Sequence, residues 1–190
     1  MRKREHTLLL ALARESISSS LGLVSNDAFT LISQDPAPVF MEKRGVFVTL
    51  RTLGGEDSHA LRGCIGNLYG LSPLHKSIME LAREAAFHDP RFPAVRLDEL
   101  SNLSIEISVL TKPRKIASFE EIKVGSDGVI LTLGYNRAVF LPQVATEQGW
   151  GVEEMLENLC MKAGLPPNAW KDPGCELEVF QAEVFSEDTP

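Results

Sequence analysis

Arg62 and Cys64 stand two positions apart in the stretch Leu61-Arg62-Gly63-Cys64-Ile65-Gly66. The stretch is apolar and β-rich, and side chains alternate faces along a strand. A regular strand here puts Arg62, Cys64 and Gly66 on one face, with Leu61, Gly63 and Ile65 on the other. The first face then carries a permanent cation and a thiol about 6.5–7 Å apart at Cα. Thiolate is the reactive form of cysteine, and a neighbouring cation favours it. Two unit charges at that spacing attract by about 0.6 kcal/mol in bulk water and about 2.6 kcal/mol at an effective dielectric near 20. Arg62 can equally hold a carboxylate or phosphate in its planar fork. Gly63 and Gly66 leave room for a backbone or a ligand to come close. The alternative for Cys64 is a buried, inert thiol serving as a small hydrophobe.

A nucleophile also needs a base. Glu106 is the acid on the polar side of the alternating run Leu103–Val109. If that strand borders the signature strand, Glu106 either pairs with Arg62 or serves as general base. The rival reading is a solvent-facing strand acid. Arg91, in Asp89-Pro90-Arg91-Phe92-Pro93, joins the same polar cluster or locks its own loop by an ion pair with Asp89. The four histidines, His6, His59, His75 and His88, are scattered, and each reads as a surface or capping residue. No pair of them has a metal-ligand spacing such as HExxH or HxH, so no metal site is expected and no cofactor can be named. The glycines at 63 and 66 match neither a phosphate loop nor a dinucleotide fingerprint.

These residues need elements to position them. Residues 5–21 predict a helix through Leu8, Leu9, Leu12, Ile17 and Leu21. Residues 23–40 read as loop, punctuated by Asp35-Pro36-Ala37-Pro38. A hairpin is expected from Gly45–Thr52 and His59–Leu68 through a turn over 54–58. Ser72-Pro73 opens a helix that ends near His88, with Leu74, Ile78, Leu81, Ala82 and Ala85 inward and His75 on its wetter side. Strand 103–109, a hairpin from Val129–Leu133 and Ala138–Leu141, and helices over 142–148 and 152–163 follow. Leu177, Val179 and 182–185 suggest a last strand. This order predicts an α+β fold, not alternating βαβ.

Composition bounds the function. The chain has 190 residues, 44% hydrophobic and 24% charged, with a net charge of −7. That describes one globular domain able to bury roughly 70% of its unfolded surface without a staple. The acidic balance makes nucleic acid an unlikely partner. Cys64, Cys160 and Cys175 are odd in number and lack CxxC spacing, so no disulfide is expected and a reducing cytoplasm fits. The apolar run Leu8–Leu12 is too short and too soon interrupted for a signal peptide or a membrane span.

Leu61–Gly66 also resembles the signature of the AMMECR domain family. Further matches follow in order: Asp89–Pro93, Glu106–Thr111, Leu141–Ala145, Gly149-Trp150, Lys162–Pro166 and Ala169-Trp170. The resemblance spans residues 5–185 as a single domain. It is nearest to the bacterial and archaeal branch called AmmeMemoRadiSam system protein A. It implies a mixed, mainly antiparallel sheet with flanking helices, built as two unequal, tightly packed lobes with the signature beside a cleft. It also implies association with a Memo-like protein and a radical S-adenosylmethionine protein, hence a shared modification pathway. There Cys64 would carry or activate a substrate and Arg62 would orient an anionic group. The competing expectation is a binding module whose cleft recognises a partner protein or a small anionic ligand.

Overall fold

The computed structural model describes residues 1–34, 37–54 and 59–187. Part of the expected loop punctuation, Asp35-Pro36, and of the hairpin turn, 55–58, lies outside the described residues. The chain forms two compact units, residues 1–109 with the segment from Glu183, and residues 110–182.

The first unit is a helix-covered sheet. Helix α1 (Lys3–Ser20) buries Leu9, Leu12, Ala13 and Ile17 almost completely. This is the i, i+3, i+4, i+8 stripe expected of a helix facing a core. Helix α4 (Leu74–Phe87) lays Leu74, Ile78, Leu81, Ala82 and Ala85 against the same core. Complete burial of each of the larger side chains contributes about 1.5–3 kcal/mol. Between them, α2 (Asp27–Gln34) and α3 (Pro38–Met41) occupy most of the segment expected to be loop. Only Ala28 and Ile32 of α2 are buried, too sparse a pattern to betray a helix. Its first turn is held from outside, because Glu15 Oε1 accepts the Ala28 N–H at 2.8 Å.

The sheet of this unit has the order β2-β1-β3-β8. Its strands are β1 (Val46–Thr52), β2 (Leu61–Asn67), β3 (Leu103–Leu110) and β8 (Ala182–Ser186). The pairs β1–β2 and β1–β3 are antiparallel. Val46, Val48 and Leu50 of β1 and Ile105, Ile107 and Val109 of β3 turn to the helices and are buried. His75 departs from its expected wet position. It is buried, and its Nδ1–H donates to the Phe40 carbonyl at 2.8 Å, tying α4 to α3.

The second unit holds a sheet of order β4-β7-β5-β6. It comprises β4 (Arg114–Lys115), β5 (Gly128–Leu133), β6 (Asn136–Phe140) and β7 (Glu176–Phe180). Helices α5 (Pro142–Gln148) and α6 (Val152–Lys162) and a 3-10 segment, Pro167–Lys171, complete it. Met155, Leu156, Leu159 and Cys160 of α6 form its core with Val129, Leu131, Val179 and Trp170. The single last strand read from sequence is therefore two, β7 and β8, in different sheets, divided at Gln181. The α+β architecture is as expected, with helices over antiparallel pairings.

Candidate active site at the edge of the first sheet

The signature forms β2, an edge strand, and its geometry departs from simple alternation at one residue. Leu50 opposes Gly63, but Arg51 opposes Leu61. Arg62 is thus the extra residue of a β-bulge. From Gly63 onward the alternation holds. Gly63 and Ile65 lie opposite core-facing Leu50 and Val48, and Cys64 and Gly66 lie opposite Thr49 and Phe47. Gly63 is required by close approach: a Cβ there would sit 2.2 Å from the Ala85 carbonyl oxygen in the last turn of α4. Leu61, expected on the face of Gly63 and Ile65, is carried by the bulge to the face of Arg51 and is 37% exposed.

The open edge of β2 is closed at Cys64 by the Asp89–Pro93 loop. The Cys64 N–H donates to Asp89 Oδ2 at 2.9 Å, and its carbonyl accepts from Arg91 Nη2 at 3.0 Å. An acid and a base two residues apart thus replace a neighbouring strand's carbonyl and amide, and remove an edge that could pair with another chain. Asp89 is 3% exposed. Its carboxylate also accepts the Arg91 N–H at 3.1 Å, Nε at 2.9 Å and Nη2 at 2.7 Å. The Arg91 hydrogen bonds hold the Asp89 carboxyl well below the usual carboxylate range, against the opposing effect of burial. Arg91 in turn keeps its proton more firmly, chiefly through the Asp89 carboxylate and also through the Cys64 thiol beside it. Its side chain is 53% exposed, and Nη1 has no protein partner among the described residues.

The Cys64 side chain is half-buried, and Thr49 Oγ1 donates to its sulfur at 3.3 Å. Thr49 opposes Cys64 on one side and Glu106 on the other. Directly opposed residues share a face, so Cys64, Thr49 and Glu106 form a row across three strands. Glu106 lies 4.0 Å from Arg51 Nη2. The structure gives Arg62 a different partner from Glu106. Its Nε and Nη2 grip Glu99 at 3.0 and 3.2 Å, within the 3-10 segment Leu97–Asn102. Arg62 is 8% exposed, and its Nη1 is buried without a hydrogen-bond partner. The cation set beside the thiol is therefore Arg91, with Arg62 committed to bracing the bulge.

Thr49 and Glu99 were not legible as parts of this cluster. Thr49 reads as an ordinary strand threonine, and Glu99 lies in a segment without periodicity. The histidines are engaged elsewhere. His6 meets Glu183 at 2.9 Å and stacks on Phe185, and His88 meets Glu84 at 3.2 Å. His59 takes a left-handed backbone, with φ of 66°. Among the described residues no three His, Cys, Asp or Glu side chains are grouped to hold a metal ion. No helix among them is long and apolar enough to cross a membrane.

Residues 10–185 match the profile of the AMMECR1 family. A protein of Thermococcus gammatolerans is 43% identical over 187 residues, covering 96% of this chain and 90% of the relative. One of Methanothermobacter thermautotrophicus is 43% identical over 190 residues, covering 97% and 95%. The crystal structure of uncharacterized protein PH0010 from Pyrococcus horikoshii superposes with a TM-score of 0.88 at 39% identity, covering 100% of this chain and 95% of that one.

Proposed function

The chain belongs to the AMMECR1 family, and from that premise we propose that the β2 edge carries a thiol-dependent activity in which Cys64 is the reactive group. The observation that supports this most directly is the hydroxyl of Thr49 donating to a half-buried sulfur whose own backbone carbonyl is held by the Arg91 guanidinium. In this reading Cys64 carries or activates the substrate. The half-exposed guanidinium of Arg91 receives an anionic group, as a planar guanidinium does well. Glu106, on the same face beyond Thr49, accepts a proton. The protein works in the cytoplasm, where its free thiols stay reduced. It acts in a modification sequence with a Memo-like protein and a radical S-adenosylmethionine protein.

A second reading, a binding module for an anionic ligand or partner, is favoured by one specific observation. The hydrogen-bond partner found for the Cys64 sulfur is a hydroxyl, and among the described residues no imidazole or carboxylate is bonded to it. Cys64→Ser separates the two, abolishing a thiol-dependent activity and sparing ligand binding. The direct test is iodoacetamide labelling followed residue by residue by mass spectrometry. Cys64 labels faster than Cys160 and Cys175, Arg91→Gln slows it, and Arg91→Lys restores part of the rate. An unreactive Cys64, or a rate indifferent to Arg91, would overturn the thiol reading.

A further inference from the structure

The first unit contains a cavity of about 580 Å³ bordered by the start of α1, by α2 and by α3. This volume lies within the range of small-molecule sites. Its walls are mainly aliphatic, with Leu8 from α1, Leu31 from α2, and Ala37 and Pro38 at the start of α3. Phe40 also borders it but is 1% exposed, so its ring offers no open face for stacking. Helix α2 buries Ala28 and Ile32 and leaves Leu31 49% exposed beside this cavity. A large apolar side chain left in water along a concave apolar wall is what an aliphatic chain can cover. The charged residues of the lining are Arg2, Arg4 and Glu5. Arg2 and Glu5 satisfy each other: Arg2 Nε donates to Oε1 at 2.8 Å, and the Arg2 N–H donates to Oε2 at 2.7 Å. Arg4 is exposed and makes no ion pair or hydrogen bond among the described residues. The charge left unanswered in the lining is therefore one cation, in a chain of net charge −7.

We propose that this cavity binds an aliphatic carboxylate of medium chain length. The chain lies along Leu8, Leu31 and Pro38, and the carboxylate meets the Arg4 guanidinium. Burial of the chain is favoured in proportion to the apolar area taken from water. A guanidinium receives a carboxylate through two parallel hydrogen bonds, so Arg4 selects the head group. The aliphatic walls select a flexible chain over a planar ring. None of these residues takes part in the Cys64 cluster, so the site stands apart from the thiol chemistry proposed above.

The test is a titration of the leucine-methyl-labelled protein with octanoate and, separately, with octanamide, followed by NMR near neutral pH. Leu8→Met and Leu31→Met assign the two reporting signals. Leu156, fully buried in the core of the second unit, serves as internal control. Octanoate should shift the Leu8 and Leu31 signals saturably and leave that of Leu156 in place. It should bind about threefold more tightly than octanamide, as expected for one exposed ion pair. From hexanoate to decanoate the affinity should rise about threefold per added methylene. Arg4→Gln should erase the preference for carboxylate over amide, and Arg4→Lys should keep part of it. Leu31→Asp should weaken octanoate and octanamide alike, the spectrum itself reporting that each variant is folded. No saturable shift at Leu8 and Leu31, equal affinity for octanoate and octanamide in the unsubstituted protein, or an affinity indifferent to chain length would overturn the proposal.

Discussion

Cys64 and Cys175 are both half-buried thiols on sheet strands or beside them, and their surroundings differ. Cys64 has its backbone clamped by Asp89 and Arg91, and its sulfur faces a hydroxyl donor and a guanidinium. Cys175 is pushed up to about 11, first by burial, then by Cys160 and by the carboxylates of Asp172 and Glu176. Cys160, fully enclosed in the same unit, is also pushed up by burial, with the backbone amides of Trp170 and Ala169 opposing. The comparison teaches that half-burial alone says little about a cysteine. The sign of the neighbouring charges and the availability of donors decide whether the thiolate is favoured.

The contrast depends first on β2 lying close to α4. Gly63→Ala places a methyl 2.2 Å from the Ala85 carbonyl, a backbone atom that cannot swing aside. Urea denaturation should show a loss of about 3 kcal/mol, at the upper end for overpacking. A loss well under 1 kcal/mol would mean that β2 slides off the helix freely. Asp89→Asn is expected to be next, at about 2 kcal/mol, because it keeps an acceptor for the Cys64 N–H but loses the charged fork to Arg91. Its pH dependence has a definite sign. The folded carboxyl titrates below its unfolded value of about 4, so its stabilisation is complete above that pH and is lost as pH falls toward the folded value. The gap between native and Asp89→Asn stabilities should be constant near neutrality and narrow below about pH 4. A gap that widens in acid would remove Asp89 as the clamp.

The extent to which this site was legible in the sequence follows from which contacts are local. Alternation from Gly63 to Gly66 is local, and the faces of Cys64 and Ile65 follow from it. The bulge at Arg62 is not local: it arises from a two-against-one pairing with β1, and the same six residues in another register would alternate throughout. That single insertion sends Leu61 to solvent. The Asp89–Arg91 pair is separated by two residues and reads as a loop lock, but its grip on Cys64 crosses 25 residues and has no local signal. Glu99 meets Arg62 across 37 residues from a 3-10 turn without periodicity. Helix α2 was missed because its capping carboxylate, Glu15, belongs to α1. The division at Gln181 depends on which sheets accept the two strands, a tertiary choice.

The pH dependence of labelling sharpens the comparison between the two thiols. At pH 8 a thiol titrating at about 11 is ionised in roughly one molecule in a thousand. Iodoacetamide should therefore modify Cys175 far more slowly than Cys64 at that pH. The rate at Cys175 should climb about tenfold per pH unit between 8 and 10. Comparable rates at pH 8 would show that its burial and its acidic neighbours do not restrain Cys175.

The smallest expected effect isolates the hydroxyl from the cation. Thr49→Val keeps the shape of a buried strand residue and removes the O–H that donates to Cys64 Sγ at 3.3 Å. β-Branching is retained, so β1 should pair as before. Loss of one modest hydrogen bond to the ionised sulfur, about 0.5–1 kcal/mol, slows alkylation of Cys64 by about two- to fivefold. Thr49→Ser, which keeps the hydroxyl and loses only the methyl, should retain the native rate. The serine control separates a polar role from a packing role, since a packing defect would appear in both variants. Equal rates for native protein and Thr49→Val would leave Arg91 alone as the group that distinguishes Cys64 from the thiols of the second unit.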